Sequence, residues 1–235
     1  MGAGEAIDSA AMDASKAGSG AAAYERLRHA IVHAELPPGA PVSEAQLGEA
    51  FGFSKAAVRA ALARLRAEEL VLAEPRRGHV IAPLTIRDVV DIYELRLQLE
   101  PPAAEAAAGR LQAGELARLR KLAERPVKSL DAFASANRTI HLAIAEAGGN
   151  RRAARIVERL LDDSERARLV ALRAGAAGHG AKAREELLAV LGALADGDGP
   201  EAGRLMAVTI RAFRDELVDA LQAAVLDVPL GQDRP

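Results

Sequence analysis

Between Ser43 and Leu65 the sequence sets two short helices around a glycine, an arrangement that few folds accept. Ser43-Glu44-Ala45-Gln46 has the form of a capping box, with Gln46 three residues after the capping serine. The helix it starts is short, about Glu44 to Phe51, because Gly52 breaks it. Ser54 then caps a second helix carrying Val58, Leu62 and Leu65 at i, i+4 and i+7. Two short helices joined by a tight glycine turn predict a helix-turn-helix. Upstream, a first helix is expected from about Ala21 to Glu35, with Tyr24, Leu27 and Ile31 on one face, and Leu36-Pro37-Pro38-Gly39 ends it. Downstream, Leu70-Val71-Leu72-Ala73 and His79-Val80-Ile81 flank the turn Pro75-Arg76-Arg77-Gly78. That pattern predicts a hairpin, and a hairpin directly after a helix-turn-helix is a wing. Residues 21–82 are therefore expected to form a winged helix-turn-helix domain. Residues 1–20, rich in Gly, Ala, Ser and Asp without an apolar period, are expected to be a disordered tail.

Pro83 marks a boundary. From there to about residue 226 only helical periods occur, broken at Gly114, Pro126, Gly148-Gly149, Gly175 to Gly180 and Gly197 to Pro200. The expected spans are 85–109, 113–124, 127–147, 149–174, 180–196 and 199–224, with Pro101-Pro102 splitting the first. The fold class is thus mainly α: a winged domain followed by an all-helical bundle of six or seven helices, and a frayed tail over 227–235. Composition agrees. Half the residues are hydrophobic but only 3% are aromatic, so the core must be built from Leu, Val, Ile and Ala, and Ala and Leu favour helices. The absence of cysteine rules out disulfides, thiolate metal sites and cysteine nucleophiles. No apolar run is long enough to cross a membrane, and the N-terminus lacks signal-peptide features, so a cytoplasmic protein is expected. In the helical region His141, Asp131 and Glu146 do not form a nucleophile–base–orienter set, and no glycine-rich phosphate loop occurs; an enzyme is not expected.

The formal net charge of −2 says little about partners, but its distribution says more. Phe51 to Arg66 holds Lys55, Arg59, Arg64 and Arg66 and no acid, a clustering that attracts a polyanion. A helix opening at Ser54 aims its N–H groups and positive dipole end at phosphates. Ser54 can cap the helix or donate to a phosphate. Lys55 and Arg59 share a face, and Arg59 can fork onto guanine O6 and N7. Lys55 suits a phosphate or a single base acceptor, and Ala56 and Ala57 are small enough for close approach to a thymine methyl. Arg64 lies further along the helix. In the wing Arg76, Arg77 and His79 around Gly78 are placed for phosphates or a minor groove. The ordered set of turn, acid-free helix and basic hairpin points to double-stranded DNA as partner. A helical scaffold or partner-binding protein without specific DNA binding is the alternative.

Residues 24–82 resemble the winged domain of the GntR family of bacterial regulators. The resemblance lies in Leu36-Pro37-Pro38-Gly39, Glu44 to Gly52, Ser54 to Leu65, and Glu68-Glu69-Leu70-Val71 followed by Arg77-Gly78. Against the family pattern S-R-T-P-V-R-E-A-L-x-x-L, Ser54, Val58, Arg59, Leu62 and Leu65 match, while Lys55, Ala56, Ala57 and Ala60 depart. Glu69 stands where the family usually has glycine. Residues 86–220 resemble the helical FCD domain of the FadR-type branch, through Asp91 to Arg96, Leu99-Glu100, His141, Gly149-Asn150 and Ala193 to Asp198. The resemblance implies a homodimeric repressor that binds an inverted-repeat operator and is modulated by a small-molecule effector, an organic acid or acyl compound, in the helical domain.

Many FCD domains hold a divalent metal through one Asp and three His. Here those positions fall on Asn137, His141, Leu187 and Thr209, so the resemblance implies no metal and no cofactor, and an apolar or amphipathic effector in its place. Arg96 sits on a helix whose apolar face must pack inward; its partner is either Glu100 at i+4 or a ligand anion. Arg96, Asn137, His141 and Thr209 are the expected effector-binding residues, with Arg138 and Arg211 as weaker candidates.

Overall fold

The computed structural model describes residues 20–74, 78–125, 130–173 and 180–226. The chain divides between Leu84 and Thr85 into two compact units.

In the first unit residues 20–32 form a helix (α1), followed by a two-residue strand β1 (Pro41–Val42), α2 (Glu44–Phe51), α3 (Lys55–Ala67) and the strands β2 (Val71–Glu74) and β3 (Gly78–Ile81). The order in the sheet is β1-β3-β2, antiparallel throughout. β3 lies in the middle, with Val42 opposite His79 and Leu72 opposite Val80. Leu27, Ile31, Leu47, Val58, Leu62, Leu65, Val71 and Ile81 fill the core. The local signals act as their chemistry requires. Ser43 Oγ accepts from the Gln46 N–H and Ser54 Oγ from the Ala57 N–H, each at 3.2 Å. Gly52 ends α2 at φ 73°, a conformation that costs glycine nothing. α1 stops at Val32, short of the expected Glu35, because the chain turns through Ala34 at φ 52° before reaching the prolines.

The end of α3 explains a departure from the family pattern. The Leu70 N–H bonds the Leu65 carbonyl and the Glu69 N–H the Arg66 carbonyl, the two hydrogen bonds of a Schellman motif. Its left-handed residue is Glu69, at φ 60°, where a glycine would be unstrained.

The second unit comprises, among the described residues, six helices: α4 (Ile86–Ala107), α5 (Ala113–Ala123), α6 (Leu130–Ala147), α7 (Arg151–Arg173), α8 (Gly180–Ala195) and α9 (Gly199–Leu226). α4 opens on a capping box between Thr85 and Asp88 and packs against α6, α7 and α9. Its inward stripe is Val89, Tyr93, Arg96, Glu100, Ala104 and Ala107. The expected split at Pro101-Pro102 does not occur; both prolines lie inside a continuous α4. Close backbone packing accompanies them. A Cβ on Gly148 would stand 2.8 Å from the Ala103 carbonyl, one on Gly199 2.8 Å from that of Glu105, and one on Gly203 3.0 Å from that of Pro101. This tertiary packing holds α4 in one piece where the local rule predicts a break.

Candidate nucleic-acid interface and helical-domain pocket

Helix α3 is divided lengthwise by burial. Val58, Ala61, Leu62 and Leu65 face the core, and Lys55, Ala56, Arg59 and Ala60 face solvent. Ala57 departs from expectation. It is 4% exposed and packs inward, because it lies one turn before Ala61 on the core face, so its methyl does not reach a groove. Ser54 spends its hydroxyl oxygen on the helix cap. Arg59 is not a free cation: its Nε and Nη2 donate to the two carboxylate oxygens of Glu44, both at 2.8 Å. The pair is solvent-exposed on the Arg59 side, where 71% of the side chain is accessible. The hydrogen bond from Arg59 pulls the Glu44 carboxyl below its usual range, against an opposing effect of burial; the Arg59 charge adds to the lowering. Arg64 stacks its guanidinium 3.5 Å from the centre of the Tyr24 ring, and Tyr24 in turn donates to Glu68 at 2.7 Å. Arg64, though exposed like Arg66, is thereby tied to its own domain. Gly78 is exposed at the start of β3 and His79 half-buried beside it. Arg76 and Arg77 lie outside the described residues.

In the second unit the four expected effector residues all lie in or against the interior. Arg96 is 3% exposed and takes the first of its two expected partners: its Nε donates to Glu100 Oε1 at 2.5 Å. Its Nη1 donates to Ser164 Oγ at 3.2 Å, and the Ser164 hydroxyl donates in turn to the Leu160 carbonyl. Glu100 also accepts from His141 Nδ1. Burial pushes the Glu100 carboxyl up, but Arg96 and His141 outweigh it and bring it down to about 2. An ionised, acceptor-only Glu100 takes the hydrogen of His141 Nδ1, and Nε2 is the ring's remaining polar atom. That Nε2 is buried without a partner, as are Asn137 Oδ1 and Thr209 Oγ1.

Asn137, Arg96, Tyr93, Arg138 and Phe213 line a cavity of about 30 Å³. His141 follows Asn137 by one turn of α6, and Thr209 precedes Phe213 by one turn of α9. Arg138 borders the cavity but is bound to Asp162 at 2.8 Å. Arg211 does not join this set; it is exposed on α9. No local pattern signals that Glu100, 41 residues from His141, holds that ring; only the helix packing brings them together.

The residues at the FCD metal positions do not fit a divalent transition metal. They offer one imidazole nitrogen, one amide oxygen and one hydroxyl, and the fourth position, Leu187, is a buried hydrocarbon. Among the described residues no group of three or more His, Asp or Glu is placed to hold a metal ion.

The bacterial regulatory proteins, gntR family model matches residues 20–81, and the FCD domain model residues 91–212. The chain belongs to the GntR family and carries an FCD domain. The family and the relatives this chain matches are transcriptional regulators, not enzymes. The HTH-type transcriptional regulator YdhC of Bacillus subtilis is 34% identical over 107 residues, which is 46% of this GntR chain and about half, 48%, of that protein. An HTH-type regulator of Agrobacterium vitis from the TAR-I ttuE-ttuC' intergenic region is 35% identical over 120 residues, covering 50% of this chain and 70% of that one. Escherichia coli McbR/YncC shares the fold, with a TM-score of 0.72 at 22% identity over 87% of this chain and 98% of that structure. No helix among the described residues is long and apolar enough to cross a membrane.

Proposed function

We propose that this GntR regulator is a repressor that binds an inverted-repeat operator as a homodimer and acts in the cytoplasm. Residues 21–82 carry DNA binding, and residues 83–226 carry dimerisation and effector binding. The observation that carries the proposal is the solvent face of α3, where Lys55, Ala56, Arg59 and Ala60 stand clear at the positive end of a capped helix. Lys55 and Ser54 serve the phosphates, Arg59 a guanine edge, and the wing residues Arg76, Arg77, Gly78 and His79 the flanking backbone. Two such helices in a dimer, about one duplex turn apart, require a palindromic site.

Retardation of a promoter fragment from the protein's own locus tests this. Specific binding is expected to weaken steeply from about 50 to 200 mM salt, and Arg59→Ala to remove the preference over a scrambled fragment. A complex that ignores both salt and sequence refutes the proposal and favours a scaffold.

The effector site comprises Arg96, Asn137, His141 and Thr209. Its chemistry argues against an organic acid anchored by Arg96, because Glu100 already neutralises that guanidinium inside the fold. Arg138 is likewise matched by Asp162. Asn137 Oδ1 accepts and Thr209 Oγ1 can donate or accept; these two and His141 Nε2 are buried without a partner. A small uncharged compound bearing hydroxyl or N–H groups suits these atoms, and since the cavity of about 30 Å³ has room only for water-sized groups, its entry requires the helices to part. Binding favours one dimer geometry and so changes operator affinity by the ligand's differential affinity for the two states. Melting-temperature screens distinguish the classes: uncharged hydroxyl compounds are expected to raise Tm. Stabilisation by carboxylates alone refutes this assignment of the effector class.

A further inference from the structure

We infer that Glu44 is a specificity-determining residue, a buttress that presents one chosen edge of Arg59 to the operator. This rests on the DNA-binding function proposed above. A guanidinium has two hydrogen-bonding edges. The side edge, Nε with Nη2, is wholly occupied by the two carboxylate oxygens of Glu44 at 2.8 Å each. The end edge, formed by Nη1 and the remaining hydrogen of Nη2, is left free, and its two parallel donors can fork onto guanine O6 and N7. Arg59 has a long, flexible side chain that is 71% accessible. Unrestrained, it would sample many orientations and contact phosphate as readily as base. Held by two points from a neighbouring helix, it meets the duplex already oriented.

The placement of Glu44 supports this role over a structural one. Glu44 is the first residue of α2, at the surface, and an exposed ion pair contributes little to stability. A carboxylate beside the DNA-facing side of α3 repels phosphates and weakens binding to every sequence alike. Its contribution is therefore to discrimination rather than affinity, the trade that specificity by repulsion describes.

The test is selection from a randomised operator library by the full-length protein, comparing wild type, Glu44→Gln, Arg59→Ala and the double variant. Arg59→Ala identifies the base pair that Arg59 reads. At that pair wild type is expected to prefer guanine about tenfold. In Glu44→Gln that preference is expected to fall to about twofold, with other positions unchanged and binding to random DNA equal or tighter. In the Arg59→Ala background Glu44→Gln is expected to change nothing at that pair. Circular dichroism and Tm equal to wild type confirm that the variant folds. An intact guanine preference in Glu44→Gln overturns the buttress, and so does a uniform loss on all sequences. A wild-type protein that selects no sequence overturns the DNA-binding proposal itself.

Discussion

Replacing Glu100 by glutamine removes one charge from the interior of the helical domain without changing the shape of the side chain. Arg96, 3% exposed, then keeps a neutral acceptor and Ser164 in place of its counter-ion. Removing one partner of a buried pair costs about 3–5 kcal/mol, because the remaining charge stays desolvated. The structure gives an independent route to the size. The Glu100 carboxyl lies at about 2, against 4.5 for an ordinary glutamate. At about 1.4 kcal/mol per unit this is worth about 3 kcal/mol. The sign follows from linkage. A carboxyl depressed in the folded state stabilises the fold above its unfolded value, and that stability is lost as pH falls toward the folded value. Full stabilisation therefore holds above about pH 5, and about three-fifths of it is gone by pH 3. The assay is urea unfolding at pH 7, 5, 4 and 3. The chain's two tyrosines, Tyr24 and Tyr93, lie in different units, so a Tyr24→Phe background lets Tyr93 fluorescence report the helical domain alone. The gap between the parent protein and its Glu100→Gln variant is expected to be constant from pH 7 to 5 and to narrow by about 2 kcal/mol at pH 3. A gap below about 1 kcal/mol at pH 7, or one that does not vary with pH, refutes the reasoning.

Three further outcomes test other parts of the fold. Glu69→Gly relieves a left-handed residue at φ 60° in the Schellman motif and is expected to raise the stability of the winged domain by about 1 kcal/mol; a lower Tm counts against the strain. Gly148→Ala forces a methyl to within 2.8 Å of the Ala103 carbonyl and is expected to cost about 1–3 kcal/mol, seen as a lower urea midpoint; an unchanged midpoint would mean that α6 and α4 can part freely. Elemental analysis of the purified protein is expected to find no stoichiometric transition metal, since Leu187 and Thr209 stand where imidazoles would be needed; one equivalent per chain would place a complete ligand set elsewhere.

The winged domain was legible because its signals are local. Ser43, Gly52 and Ser54 each act on backbone groups within three or four residues, so cap, break and cap can be read in order along the chain. Strand β1 was not legible. Pro41-Val42 carries no period of its own, and it becomes a strand only because β3 offers Val80 and His79 as partners. The inward position of Ala57 was missed for a related reason: alanine fits either face, and the neighbouring Val58 and Ala61 decide. At Pro101-Pro102 the local rule gave the wrong answer. Two missing N–H donors predict a break, but α4 is enclosed by α6, α7 and α9, with Gly199 and Gly203 allowing α9 against its backbone. In the interior, the i+4 spacing of Arg96 and Glu100 was readable as a pair, whereas the third member, His141, depends on the crossing of α4 and α6.

Two of the protein's arginine–glutamate pairs, Arg96–Glu100 and Arg59–Glu44, use the same contact for opposite ends. Around Glu100 the medium is protein, so losing the carboxylate strands a cation and the consequence is read in unfolding. Around Glu44 the medium is water, so the contact adds little to stability and the consequence is read only when DNA arrives. The same glutamate-to-glutamine change should therefore separate cleanly. At position 100 it lowers the unfolding midpoint, and since Glu100 lies outside the DNA-binding unit, it leaves base preference intact. At position 44 it leaves the midpoint and weakens the guanine preference. Effects of both kinds from either substitution would mean that the two units do not hold their pairs independently, contrary to their separation between Leu84 and Thr85.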